Sequence, residues 1–231
     1  MITAQQALNT SRLVLFEALG EEKYTYYGGG SALLFTWLDA GYVVTAKHVA
    51  KKGGQGKIRI ALDEGSLKFF RFDTALEPVG EDKDWRDLTL FRVHPRLPSN
   101  EWVPYALPLD LSLLRAAANS YVRRQPLWVS GYPSSHQLVD YEASHLQYTR
   151  CFLKAWYDCP DSTAVAKHRI VIDAELDSLE GLSGSPVFVQ TELQSFLLAG
   201  ILIQGSASSG LGHFVGAEAL AALLAQLPAA A

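Results

Sequence analysis

Apolar residues occur along this chain in short blocks rich in β-branched and aromatic side chains, with Gly, Pro, Asp and Ser between most of them, and that pattern predicts strands rather than helices. SALLFTWL and YVVTA are separated by Asp39, Ala40 and Gly41, which is turn chemistry, so the two blocks read as a hairpin. RLVLFEAL, KIRIAL, LKFFRF, DLTLFRV, PLWVSGY, HLQYTRCFLKAWY, RIVIDAEL, SPVFVQ and FLLAGILIQ are further strand blocks. Helices are expected only at the ends. Thr3 with Gln6 has the spacing of a capping box and opens a short N-terminal helix. GAEALAALLAQL, stopped by Pro228, reads as a C-terminal helix packed on the second half. Many strands and few helices make the fold class all-β, a barrel or sandwich. The stretch RLPSNEWVPYALPLDLSLLRAAANS carries Pro98, Pro104 and Pro108 and no strand alternation, so it reads as the connection between two halves. The expected division lies near Ala118, with halves 1–118 and 119–231 forming one structural unit.

Composition narrows the function classes more than it identifies one. The 231 residues are 48% hydrophobic and 19% charged, the balance of a folded globular chain. A formal charge of −4, with Lys and Arg scattered, gives no cationic footprint for nucleic acid. No apolar run is long enough to span a membrane, and MITAQQALNTSRLVLFEALG lacks the features of a secretory signal, so a cytoplasmic location without membrane attachment is expected. Cys151 and Cys159 are the only cysteines and are expected to be reduced thiols. His145, Cys151, Cys159 and His168 do not have the spacing of a usual zinc ligand set, and no metal or other cofactor is expected.

A serine hydroxyl becomes a useful nucleophile when an imidazole removes its proton, and the imidazole works best when a carboxylate fixes its tautomer. In GLSGSP, Ser183 lies between Gly181 and Gly184, residues that let a tight backbone turn its N–H groups towards a developing oxyanion. His48 follows an apolar strand in TAKHVA, and Asp87 opens another in DLTLFRV. Singly, each has an ordinary structural explanation as a cap, turn or packing residue. Together and in this order they point to nucleophile, base and carboxylate. Asp82 and Asp84 are nearby alternatives for the carboxylate, but neither directly precedes the apolar run. The remaining histidines, His94, His136, His145, His168 and His213, have no comparable setting and read as surface or packing residues.

GGGSALLFTWLDAGYVVTAKHVA and GLSGSPVF resemble the glycine-hairpin-histidine segment and the G-x-S-G-G-P nucleophile motif of the chymotrypsin and trypsin-like serine peptidases. The order His, Asp, Ser is also that family's. The resemblance runs from about Gly28 to Gly205. It implies two antiparallel six-stranded β-barrels with a His48, Asp87, Ser183 triad between them, and an oxyanion hole from the N–H groups of Gly181 and Ser183. It further implies hydrolysis of a peptide or protein substrate without a cofactor, with any regulatory protein partner left unspecified.

The departures also carry information. Ser185 stands where the motif has its second glycine, as in bacterial-type members, and Leu182 stands where trypsin has an Asp that pairs with a freshly cut N-terminus. That pair is unavailable here, so activity without such a cut is expected. For specificity, DSLEGLSGSP resembles the trypsin segment in which Asp177, followed by Ser178, forms the pocket base and attracts Lys or Arg, with Ile203 and Gly205 on the pocket wall. In another register IDAEL matches an Asp-Ala segment of bacterial relatives, and Asp177 falls on an exposed acidic loop. Two other classes fit the sequence less well. A silent trypsin-like fold that binds peptides would be expected to lack a triad residue, and an α/β-hydrolase would need alternating strands and helices and a G-x-S-x-G motif that Ser185 breaks.

Overall fold

The structure is a computed structural model that describes residues 2–17, 26–52, 57–62, 68–78, 87–110, 112, 114, 121–140, 145–162, 164, 166–173 and 177–227. The expected division near Ala118, and Asp82 and Asp84, lie outside the described residues. A short helix α1 (Ala4–Asn9) begins at the reciprocal Thr3/Gln6 capping box and leads into β1 (Ser11–Glu17). The hairpin follows as β2 (Tyr26–Trp37) and β3 (Ala40–Ala46), and β3 runs directly into helix α2 (Lys47–Lys52). Strands β4 (Lys57–Ile60), β5 (Phe72–Leu76) and β6 (Leu88–Val93) complete the main sheet of the first half. In the proline-bearing stretch, two single turns of 3₁₀ helix precede β7 (Leu107–Pro108), which pairs with β2.

The six main strands of the first half form an antiparallel path β4-β1-β2-β3-β6-β5. Its two edges are drawn together beyond β4, where Ala61 bridges Phe69 and the Phe70 N–H donates to the Ile60 carbonyl at 2.9 Å. The second half contains β8 (Pro126–Gly131), β9 (Gln137–Asp140), β10 (His145–Tyr148), β11 (Cys151–Pro160), β12 (Lys167–Ile172), β13 (Pro186–Gln190), β14 (Phe196–Ser206) and β15 (Leu211–Gly216). Six of these close into a barrel in the order β11-β12-β15-β14-β13-β8, while β9 and β10 pair only with each other. Helix α3 (Ala217–Leu224) buries most of its side chains against this half. The all-β architecture with a C-terminal helix is therefore present, with the second barrel closed and the first a rolled sheet.

Local details depart from the sequence pattern for identifiable reasons. Leu38 (φ 46°) and Asp39 (φ 59°) form the hairpin tip, whereas Ala40 and Gly41 belong to β3. Two consecutive left-handed residues match the twist of the flanking strands, and Gly41 lies under the Trp102 ring, where a Cβ would come within 2.4 Å of it. In LKFFRF, Phe69 makes an isolated bridge and only the last residue, Phe72, belongs to a strand, β5, which continues beyond it to Leu76. HLQYTRCFLKAWY divides at Thr149 and Arg150 into β10 and β11. The barrel-closing strand LGHFVG had no sequence signal, since its glycines hide the apolar alternation. Gly212 packs there against Ile170, Leu202 and Ile172.

The halves share one core. A continuous apolar cluster joins Phe16, Leu33, Val44 and Leu90 of the first half to Phe188, Ile201 and Leu220 of the second. A second cluster fills the closed barrel around Leu127, Ile170, Leu182 and Phe214. At the junction, the Ser11 hydroxyl donates to Ser130 Oγ at 2.7 Å, where both residues are buried. Among the described residues no helix is long and apolar enough to cross a membrane.

Candidate active site

His48 is the second residue of α2, immediately beyond the buried strand β3, and Asp87 is the residue before β6. Pairing of Ala46 with Leu88 brings these strand ends side by side. The Asp87 backbone carbonyl then accepts the Lys47 N–H at 2.9 Å, and its Oδ1 accepts the His48 N–H at 2.9 Å. Asp87 thus caps two N–H groups at the start of α2 that have no intrahelical partner. Its other carboxylate oxygen, Oδ2, lies 2.7 Å from His48 Nδ1. One carboxylate fixes both the backbone and the ring of the histidine. A carboxylate facing Nδ1 favours the tautomer with its proton on Nδ1 and a lone pair on Nε2, the arrangement a general base requires.

The same helix is held from a second side. Lys47 Nζ lies 2.6 Å from Glu77, just past β5, and Lys51 Nζ lies 3.5 Å from it. Burial pushes the Glu77 carboxyl up, but the hydrogen bond and charge of Lys47, with the charge of Lys51, outweigh it and leave Glu77 below the usual carboxylate range.

Ser183 is carried by a tight loop before β13 that only glycine can make at two positions. Gly181 has φ +85°, and a Cβ there would come within 2.4 Å of the Tyr132 carbonyl oxygen. Gly184 has φ +92°, and a Cβ there would lie 1.8 Å from the Ser31 carbonyl oxygen and 2.3 Å from Thr45 Oγ1. Gly184→Ala should therefore lower stability by about 3 kcal/mol or more, through left-handed strain combined with a collision against backbone. A denaturant titration that placed its midpoint at the wild-type value would contradict this account of the loop.

Among the described residues, neither the Gly181 N–H nor the Ser183 N–H has a hydrogen-bond acceptor. Leu182 is fully buried in the barrel core and fixes the loop between them. Among the described residues the Ser183 hydroxyl makes one bond, long at 3.4 Å, to the Ile203 carbonyl. That carbonyl belongs to a bulge in β14, where Ile203 is left between the paired residues Leu202 and Gln204.

His48 and Ser183 line one open cleft of about 180 Å³ where the halves meet, with Gly29 and Val49 on one side and Leu179, Glu180, Gly181 and the Ile203–Gly205 strand on the other. Ile203 and Gly205 thus lie at the cleft. Asp177 is exposed and is not among the residues lining the cleft. Ser178 is half-buried, and its Oγ accepts the Glu180 N–H at 3.0 Å. Leu179 turns inwards instead, and its side chain covers Gly205, where a Cβ would come within 2.9 Å of Leu179 Cδ1. Leu179 had no distinguishing sequence signal, because an apolar residue in an acidic loop does not reveal its direction.

Among the described residues, no group of three His, Cys, Asp or Glu side chains is placed to hold a metal ion. Cys151 and Cys159 are both free. Cys151 Sγ lies 3.2 Å from His136 Nδ1, and burial raises its thiol above the usual range. His168 is a packing residue, stacked on Phe214 with Nδ1 3.2 Å from the Tyr157 hydroxyl and Nε2 3.4 Å from Glu218.

Two antiparallel β halves meeting at a cleft with an imidazole-carboxylate pair and a glycine-flanked serine define a class, the two-barrel proteins with a Ser-His-Asp cleft. The trypsin family model matches residues 35–221, most of the chain, and the chain belongs to the trypsin family. A solved structure titled human heparin binding protein is similar over 100% of this chain and 98% of that one, with a TM-score of 0.61 and 15% identity, a likeness of fold alone. No curated protein matches the chain.

Proposed function

We propose that this protein is a serine endopeptidase in which Ser183 attacks the scissile carbonyl, His48 transfers the proton, and Asp87 orients His48. The observation that carries this reading is the 2.7 Å contact between Asp87 and His48 Nδ1 on a cleft that Ser183 shares. With Nδ1–H donated to Asp87, Nε2 takes the serine proton during attack and returns it to the leaving amine. The N–H groups of Gly181 and Ser183, which have no acceptor among the described residues, supply two donors for the oxyanion. None of these steps calls for a metal or an organic cofactor. The alternative, a silent fold that binds peptides, leaves the paired imidazole and the glycine-enforced loop without a purpose. Covalent labelling of the purified chain by a serine-directed fluorophosphonate separates the two readings: stoichiometric labelling at Ser183 supports a peptidase, and absence of labelling rejects it.

Leu182 is apolar and buried, so the nucleophile loop requires no charged N-terminus beside it. The backbone of Ile2 is instead hydrogen-bonded to Phe196, with the Phe196 N–H reaching the Ile2 carbonyl at 2.8 Å. We therefore expect the uncut chain to be the active form. We further propose action on proteins within the cytoplasm.

For substrate choice, the cleft wall of Leu179, Ile203 and Gly205 favours a small or apolar side chain: Asp177 does not line it, and the carboxylate that does, Glu180, is exposed to solvent, where water and salt screen its charge. A peptide-library profile should show this preference in the wild type and leave it unchanged in Asp177→Ala. Cleavage after Arg or Lys that disappeared in Asp177→Ala would restore Asp177 to the pocket.

A further inference from the structure

Ser31 lies in β2, fully buried, and its backbone and side-chain polar groups are engaged across the junction between the halves. Its N–H donates to the Ser183 carbonyl at 2.9 Å, and its carbonyl accepts the Thr45 hydroxyl at 2.7 Å. Its own hydroxyl donates to the Gly181 carbonyl at 2.8 Å and accepts the Tyr132 N–H at 2.9 Å. A hydroxyl with one proton and two lone pairs can serve a donor and an acceptor at once. Here the two partners are the two segments that shape the oxyanion site.

Each peptide group in that loop has a fixed direction. In the trans peptide joining Glu180 to Gly181, carbonyl and N–H point opposite ways. The Glu180 carbonyl accepts the Ser134 N–H at 2.7 Å, so the Gly181 N–H is directed away from Ser134. The next carbonyl, of Gly181, is held by the Ser31 hydroxyl, and that of Ser183 by the Ser31 N–H. The segment carrying Ser134 is tied to the same hydroxyl through Tyr132. Leu182, between the two oxyanion donors, has an apolar side chain, and its backbone bonds, to the Leu179 carbonyl at 3.2 Å and from the Ser185 N–H at 2.9 Å, stay within the loop.

We propose that Ser31 is a positioning residue for the oxyanion hole: its hydroxyl locks the Gly181 and Tyr132 backbones together and so aims the Gly181 N–H at the developing oxyanion. This rests on the peptidase reading. Removing the hydroxyl frees the Gly181–Leu182 peptide on one side of the Gly181 Cα, and on the other it loosens the Tyr132–Ser134 segment, whose Ser134 N–H holds the Glu180–Gly181 peptide that carries the Gly181 N–H. The donor most affected acts in the transition state, and losing one such donor outright costs about a hundredfold to a thousandfold in kcat. A loosened donor should cost less.

Ser31→Ala is therefore expected to lower kcat by about tenfold to a hundredfold with KM unchanged. Affinity for a peptide aldehyde, which forms a tetrahedral adduct in the site, should fall by the same factor, and the pH profile of kcat/KM should superimpose on that of the wild type. Ser31→Cys, which keeps a weak donor in a similar shape, should recover part of the loss. A purely structural role would lower the melting temperature without changing kcat per folded molecule, and that result overturns the proposal. So does a loss confined to KM. If Ser31→Ala does not fold, Ser31→Cys is judged by the same measurements, and wild-type kcat in that variant overturns the proposal.

The peptidase reading is checked separately by fluorophosphonate labelling of the wild type. If the wild type is inert, that reading falls. Amide hydrogen exchange then tests the anchoring alone: faster exchange at Tyr132 in Ser31→Ala supports the lock, and unchanged exchange overturns it.

Discussion

Replacing Ser183 with alanine should lower peptide turnover by about a millionfold and abolish fluorophosphonate labelling, with little change in melting temperature. The size follows from the nucleophile and base acting as a unit. Without the hydroxyl, His48 has no proton to accept from the enzyme, and only binding and the backbone donors continue to act on water-driven hydrolysis. The small stability effect follows from the geometry. Among the described residues Ser183 Oγ makes a single long hydrogen bond of 3.4 Å, and the loop is shaped by Gly181 and Gly184, by backbone bonds and by the burial of Leu182, all of which the substitution leaves in place. The paired measurement is kcat on a peptide substrate and the thermal midpoint. Retained turnover in a folded Ser183→Ala protein would require a different nucleophile.

Asp87→Asn should lower kcat by about ten-thousandfold, the size of the corresponding substitution in another serine protease triad. The reason can be followed atom by atom. Asp87 Oδ1 accepts the His48 N–H, and an asparagine keeps that bond by placing its carbonyl oxygen there. Its amide nitrogen then replaces Oδ2, 2.7 Å from the histidine Nδ1, and presents a donor where an acceptor stood. The imidazole responds by carrying its proton on Nε2, which leaves no lone pair for the serine proton. Because the backbone cap on α2 survives, folding should not suffer. Near-wild-type turnover in Asp87→Asn, with loss of activity in an Asp84→Asn or Asp82→Asn variant, would transfer the carboxylate role along the chain.

Much of this protein follows from residues close to one another in sequence. Thr3 and Gln6 are three residues apart on the first turn, so the helix start could be read from their spacing, and the reciprocal cap is present. The short run of Leu88, Leu90, Phe91 and Val93, buried at every position of LTLFRV except Arg92, marks β6 as a strand, and the Ala- and Leu-rich segment after Gly216 marks α3 as a helix. His48, Asp87 and Ser183 were legible as candidates because each has local surroundings suited to its chemistry: a strand end, a strand start and a glycine-flanked turn.

The tertiary structure decided what depends on the chain returning to itself. Strand β15 closes the barrel although its glycines conceal its pattern, because Gly212 provides the space that Ile170 and Leu202 fill. Leu179 rather than Asp177 lines the cleft, since burial of an apolar side chain against Gly205 is favourable and an unpaired carboxylate gains more from water. Ser31 looks like one small residue beside a run of glycines until the fold brings it to Tyr132, 101 positions away, and Gly181, 150 positions away. Sequence neighbours set local conformation through backbone sterics and periodic burial. Hydrogen bonds between distant segments are set only when the packed core fixes how the two halves meet.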